Sequence, residues 1–408
     1  MLESDKQVPS YPVDNFSELG QPGDPASNFS AIVVPSARGA SYLTNAANTA
    51  QAGSVPLVVL CSGRTDHVAA AELFSQYNQD LHHKQPRLIW HAVKLPDDYE
   101  NPLFNFRAQY SIPEDFICPG DLSLKRTIGA CVAERVFYMD DDMEVSHEAL
   151  ALAGSLLAAN AIVGLRTGGM PDWSVIHHAR EAAARFIQSQ HYVLGSDNVT
   201  GNSMGINTAL CSFYSPLNIY NEDWLLMHYA LRDGRSGVAI APGRASQAQY
   251  DPFSDPDRPR REEFGDTIIE GIYALPSRQR TVEVLGDETY WRSVISRRRG
   301  FAAKLLNIFN LPIEKIHMSY LGFNESTEDP VRDRRAQYAA VEAALEKILA
   351  YSAMVAPGNC TDYLRALDDD QRQWMERWDI FKEKRTPDIL KNLGLLGLGE
   401  YTLSSEQD

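Results

Sequence analysis

Cysteine is scarce in this 408-residue chain. The five present are Cys61, Cys118, Cys131, Cys211 and Cys360, an odd number with no pair at close metal-ligand spacing. That gives no basis for a disulfide framework or a cysteine zinc site and fits a reducing compartment. Cys61, Cys131 and Cys211 sit in apolar runs and read as reduced core residues. No run approaches the roughly 18–20 apolar residues that span a bilayer, and residues 1–30 lack a charged-then-apolar leader pattern. The sequons at Asn198 and Asn359 therefore read as chance, and the expected location is cytoplasmic. Positive charge is in deficit, with 38 Lys and Arg against 54 Asp and Glu and a net charge of -16. This argues against bulk binding to nucleic acid or anionic membrane. A few local cations can still hold an anionic ligand. No Gly-x-Gly-x-x-Gly or P-loop pattern occurs, nor a nucleophile-elbow serine, nor an internal repeat.

What is present is an alternation of short apolar runs with helical spacing. Residues 1–28 read as a proline-bearing tail. Runs at 31–35, 55–61, 88–93 and 135–139 read as strands, separated by helical stretches at 40–52, 68–81 and 122–134. Strands alternating with helices imply a mostly parallel sheet covered on both faces. Ser146 is placed to cap a following helix to about 160. A strand at 161–164, helices at 175–190 and 223–232, and a strand at 238–241 complete this region. Residues 251–262 read as a loop, and beyond 264 the pattern is helical, at 265–274, 288–309, 330–353 and 368–384. The implied organisation is a tail over 1–28, an α/β domain over 29–263 and a helical appendage over 264–408. The charge run Arg297-Arg298-Arg299 reads as a solvated helix face.

The strongest chemical signal is Asp140-Asp141-Asp142, directly after an apolar strand. Ligands of open α/β sheets bind beyond the carboxyl ends of strands. Adjacent carboxylates repel, so a hard divalent cation bridging to a phosphate is one reading. A solvated acidic turn is the other. The second signal is Glu222-Asp223, opening a helix. Such a pair can serve the helix dipole or act as a general base on an acceptor hydroxyl.

In their order and spacing, strand-Pro35, strand-Gly63-x-x-Asp66, a helix bearing Lys125 and Arg126, strand-Asp-Asp-Asp, a glycine-bearing turn at 201–205 and Glu222-Asp223-Trp224 resemble family 2-type GT-A glycosyltransferases over about residues 29–250. The resemblance implies a Rossmann-like sheet and transfer of a sugar, of hexosyl type, from a nucleotide-sugar donor. It implies that Asp142, with Asp140, holds Mn²⁺ or Mg²⁺ on the donor diphosphate. It gives Asp140 a place at the ribose side and Asp223 the part of catalytic base, with Glu222 beside it. Inversion is the outcome inferred from that acid pair, with retention open because retaining enzymes share the scaffold. Pro35 and the turn after it, including Arg38, would line the nucleobase pocket, and Asp66, Arg126 and Asp141 would join in holding the donor.

The sequence departs from that pattern twice. Cys61 and Ser62 stand where the family usually carries an acidic residue, and no histidine follows the last strand, where the chain reads Arg244 to Tyr250. The metal would then rely on Asp142 and donor oxygens, or on help from Gln247 or His317, and bind weakly. Asn202 and Ser203 are candidates to meet a sugar hydroxyl, and Trp173 to stack on an acceptor ring. A nucleotidyltransferase would share the sheet and the carboxylates, but residues 35–39 match its phosphate loop poorly. A non-catalytic binding module of the same fold is the third reading. The acceptor is open between a small molecule and a lipid-linked one, and the helical region could form a homo-oligomer, cover the acceptor or bind a partner.

Overall fold

The computed structural model describes residues 28–62, 66–81, 90–103, 107–118, 121–169, 174–187, 199–212, 219–232, 237–247, 251–276, 281–310 and 330–399. The expected tail (residue 28 apart), Gly63 of the second turn, Trp173 and His317 lie outside them. The strands are β1 Ala31–Ser36, β2 Leu57–Cys61, β3 His91–Lys94, β4 Arg135–Met139, β5 Met143–Val145, β6 Asn160–Gly169, β7 Ser203–Asn207 and β8 Gly237–Gln247. They form one sheet in the order β3-β2-β1-β4-β7-β6-β8-β5. The run β3-β2-β1-β4 is parallel, as is β6 with β8. Only β7, between β4 and β6, and β5, at the edge beside β8, run against the rest among the described residues.

The continuous apolar runs have a simple cause. Along β1, Ala31 and Val33 pack with Val58 and Leu60 on one face, while Ile32 and Val34 pack with Leu57 and Val59 on the other. A strand covered on both faces has no polar side to show.

The helices are α1 Leu43–Gly53, α2 His67–Leu81, α3 Leu122–Val132, α4 His147–Leu157, α5 Val175–Ile187, α6 Glu222–Arg232, α7 Arg258–Tyr273, α8 Val282–Leu285, α9 Glu288–Phe309, α10 Pro330–Ser352, α11 Pro357–Lys384 and α12 Ile389–Leu395. Leu43, Phe74 and Leu150 of α1, α2 and α4 close one face of the sheet. The other face is closed by Ile128 of α3, Leu225 of α6 and Phe264 of α7, and this layer continues into Trp291 of α9, Trp374 and Trp378 of α11 and Leu393 of α12. A third cluster joins α5, α9 and α10 through Ile176, Leu305 and Leu345. The mostly parallel sheet, helices on both faces and a helical C-terminal region match the expectation. Ser146 caps α4 as expected, accepting from the Ala149 N–H at 3.2 Å.

Two expectations are corrected. Residues 258–262 are not loop: α7 begins at Arg258, with Pro259 in its first turn, where a missing N–H costs nothing. Arg298 is not solvated. It is buried, and its guanidinium grips both oxygens of Glu263, each at 2.8 Å, together with Asp266 and Glu270. A helix crossing a core can bury one member of a charge run when facing carboxylates satisfy it.

Candidate active site

Parallel pairing brings the ends of β1 and β4 to one level, with Val33 opposite Tyr138. Just beyond Met139 the chain turns tightly. The Asp140 N–H donates to the Asn202 carbonyl at 3.0 Å, and the Asp140 carbonyl accepts from the Met143 N–H at 3.1 Å. This turn aims the three carboxylates differently. Asp141 points inward, where Ser36 Oγ donates to it at 2.9 Å. Burial pushes its carboxyl above the usual range, against the pull of Arg38 and the Ser36 bond. Arg38 lies across the turn, with Nε 3.3 Å from Asp141 and Nη1 2.8 Å from Asp142. Its side chain stays 47% exposed, and its guanidinium lies 5.4 Å from the centre of the Tyr42 ring. Partial burial opposes its charge, but the Asp142 bond and the neighbouring carboxylates outweigh that and raise its pKa.

Helix α3 supplies the other cations. Lys125 is buried and donates to the Ser36 carbonyl at 2.6 Å while pairing with Asp121 at 2.9 Å. Burial depresses its pKa, with Asp121 working against that. This lysine thus secures the end of β1. The next residue, Arg126, is buried at the centre of the site. It bonds Glu222 and lies 3.8 Å from Asp140. Burial opposes its charge, and Glu222, Asp140 and Asp223 together overcome that and raise its pKa. Space for it exists because residue 201 is glycine: a Cβ there would stand 2.6 Å from the guanidinium, closer than atoms approach.

Glu222 and Asp223 open α6, and both are buried. Asp223 accepts from the Gly201 N–H at 2.7 Å with one oxygen and from the Trp224 N–H at 3.0 Å with the other. Two acidic elements far apart in sequence thus meet on either side of one arginine. Both the strand-end aspartates and the helix-start pair touch the segment Gly201-Asn202.

The remaining sequence candidates are placed as follows. Pro35 lies opposite Leu60 in the parallel ladder, near the end of its strand, where the absent N–H is tolerated. Asp66 is exposed, and its carboxylate caps α2 by accepting from the Ala69 N–H at 3.0 Å. Asn202 is committed to protein partners: its Oδ1 accepts from Thr200 at 2.5 Å, Ser203 at 3.2 Å and Thr167 at 3.3 Å, while its Nδ2 donates to Gln247 at 3.4 Å. Sequence reasoning gave no role to Ser36, Thr167 or Thr200, whose hydrogen bonds to Asp141 and Asn202 join residues far apart in the chain or within one turn.

Whether the turn suits a divalent cation can be tested on its oxygens. The Asp142 Oδ1 atom is buried and accepts no hydrogen bond, while its partner oxygen is held by Arg38. A buried carboxylate oxygen without a donor suits a hard cation. Among the described residues no group of three or more His, Cys, Asp or Glu side chains is arranged to hold a metal alone. A cation here would complete its shell with ligand phosphates and water, as Mg²⁺ commonly does.

No protein-family model matches the chain, and no curated protein matches it. Solved structures to which it is similar include a mannosyltransferase, PcManGT from Pyrobaculum calidifontis, in complex with GDP-Man and Mn²⁺, at 15% identity over 78% of this chain and 86% of that one, with a TM-score of 0.40. Another is glucosyl-3-phosphoglycerate synthase from Mycobacterium tuberculosis with Mn²⁺, UDP-Glc and phosphoglyceric acid, at 18% identity over 60% and 80%, with a TM-score of 0.35. A third is S. aureus TarS 1-349, at 15% identity over 84% and 91%, with a TM-score of 0.34. No helix among the described residues is long and apolar enough to cross a membrane.

Proposed function

We propose that this chain is a glycosyltransferase that moves a sugar from a nucleoside-diphosphate sugar to an acceptor hydroxyl, with inversion at the anomeric carbon. The observation that carries this reading is Arg126, set between Asp140 and Glu222, which makes one site of the strand-end aspartates and the helix-start acid pair. A donor lying over the ends of β1 and β4 has its diphosphate near Asp140 to Asp142 and its anomeric carbon towards Asp223. Asp142 and Asp140 would hold Mn²⁺ or Mg²⁺, which when bound supplies positive charge against the leaving diphosphate. Arg38 adds a second cation at the same turn, half exposed and within reach of a phosphate.

The chain's own chemistry then follows. Asp223 takes the proton of the acceptor hydroxyl as the acceptor oxygen bonds to the anomeric carbon. The bond from that carbon to the diphosphate oxygen breaks, and the nucleoside diphosphate leaves with the electron pair. The Gly201 and Trp224 N–H groups fix the direction of the Asp223 carboxylate. Arg126 neutralises Glu222 beside it, so that two adjacent acids can stand in one buried place.

The test is Asp223→Asn, which keeps the size of the side chain and one acceptor oxygen for the two backbone N–H groups and removes the base. Turnover should fall by about 10²–10⁴-fold, with donor affinity nearly unchanged. Calorimetric donor binding, together with product assays across UDP-, GDP-, dTDP- and ADP-sugars, measures both quantities. Loss of donor binding in this variant, or retained turnover, would contradict the assignment.

A further inference from the structure

The acid pair is aimed by something outside the sheet. Asn221, the residue before Glu222, has φ +62°, a left-handed conformation that asparagine reaches more readily than other residues with a side chain, helped by hydrogen bonds of its short amide. Its carbonyl opens α6, accepting from the Trp224 and Leu225 N–H groups at 3.1 and 3.4 Å. Its side-chain amide donates to Asp266 of α7 at 2.7 Å. The other Asp266 oxygen accepts from Arg298 of α9 at 2.8 Å, and Arg298 is itself fixed by its two-point grip on Glu263. A second contact seats the same turn: Gly265 lies so close to Tyr220 that a Cβ would stand 2.1 Å from the Tyr220 carbonyl oxygen.

We propose that Asn221 is a positioning residue for Glu222 and Asp223, held in its left-handed conformation by Asp266 and, through it, by Arg298. The C-terminal helices thereby set the direction in which Asp223 faces its substrate. The inference rests on the glycosyltransferase reading above. Its physical basis is leverage at the first turn of α6. Without the hydrogen bond from the Asn221 amide to Asp266, that turn is held on this side by the Gly265 contact with Tyr220 alone, and a small rotation about it moves Asp223 off the Gly201 N–H and Glu222 off Arg126. A displacement of about 1 Å in a reacting group costs about 10²-fold in rate.

The experiment compares the full-length wild type with Asn221→Gly, Asp266→Ala and the double variant. Each is assayed for hydrolysis of whichever UDP-, GDP-, dTDP- or ADP-sugar the wild type turns over with Mn²⁺, alongside thermal midpoints. Glycine accepts φ +62°, so Asn221→Gly removes the bond to Asp266 without straining the turn. Its kcat is expected to fall by about 10–100-fold, with donor KM within about twofold and a thermal midpoint close to wild type. The double variant is expected to be no slower than Asp266→Ala, because both singles break the bond between Asn221 and Asp266, and Asp266→Ala alone also removes a partner of Arg298. Wild-type kcat in Asn221→Gly overturns the inference. So do losses of kcat and donor affinity in step with a lowered thermal midpoint, or single losses that multiply in the double variant. A wild type that turns over no nucleoside-diphosphate sugar overturns instead the functional reading on which the inference stands.

Discussion

Asp142 shows how one side chain can carry two charge environments. One oxygen is tied to Arg38, and the other is buried without a donor. The first arrangement stabilises the turn when no ligand is present, since Arg38 offsets the repulsion of neighbouring carboxylates. The second leaves a ligand position. Replacing Asp142 with alanine removes both. Donor affinity measured with Mn²⁺ should weaken by at least about tenfold, while the weaker affinity measured with EDTA should change little. Calorimetric titration under both conditions gives the comparison, and an unaltered metal-dependent gain in affinity would rule out Asp142 as a ligand. Arg126 and Lys125 divide labour at the same scale. Lys125 binds a backbone carbonyl and secures a strand end, whereas Arg126 spans the acids of two elements. The planar guanidinium suits two carboxylates better than an ammonium would.

At the scale of elements, the contact between α7 and the turn before α6 is the tightest joint near the site. A methyl group at Gly265 would meet the Tyr220 carbonyl, which is backbone and cannot swing aside. Gly265→Ala should therefore destabilise the protein by about 1–3 kcal/mol and lower turnover by shifting α6. Chemical denaturation and a donor assay on the same sample test this, and unchanged values in both would mean that the joint yields freely.

Elements differed in how plainly the sequence announced them. Strands β1, β2 and β4 were legible because both of their faces are buried and their residues are continuously apolar. Strand β7, Ser203–Asn207, was not, because its two apolar residues, Met204 and Ile206, alternate with small and polar ones on a face that is buried as well: Gly205 packs beneath Phe29, and Asn207 donates to the Leu157 carbonyl at 3.0 Å. Three-residue β5 is too short to carry a period. The strand-end aspartates and the helix-start pair could be picked out as residue types. Their meeting through Arg126 could not, since it depends on β7 returning between β4 and β6 and bringing Gly201 against the arginine. Arg298 was misread because local composition cannot show that three carboxylates wait on a neighbouring helix.

Over the whole molecule, α5, α7 and α9 enclose more carboxylate than cation. Glu263, Asp266 and Glu270 surround Arg298, while Glu262 pairs with Arg258 and accepts from the Val175 N–H at 2.6 Å. Burial, with help from neighbouring acids, pushes Glu262 up to about 8 and Glu263 up to about 7, against an ordinary 4.5. A carboxyl whose pKa is higher folded than unfolded binds its proton more tightly in the native state. Its stabilising effect is complete below pH 4.5 and is lost as pH rises through the folded value. Thermal midpoints should therefore contain a component that declines between about pH 5 and 8. Glu262→Gln, which keeps an oxygen for the Val175 N–H, should flatten that decline in melts followed by circular dichroism. A pH profile identical to wild type would remove Glu262 from the account.

The same layering bears on how the chain is made. The eight strands of the described residues have been synthesised once residue 247 is added, yet one face of the sheet shares its core with helices that end at residue 395. At about 5–20 residues per second, roughly seven to thirty seconds pass before those helices follow. For that interval part of an apolar layer has no permanent cover, so the nascent chain is at its most aggregation-prone when its sheet is already complete, and slowing synthesis across α9 to α12 would lengthen the exposure.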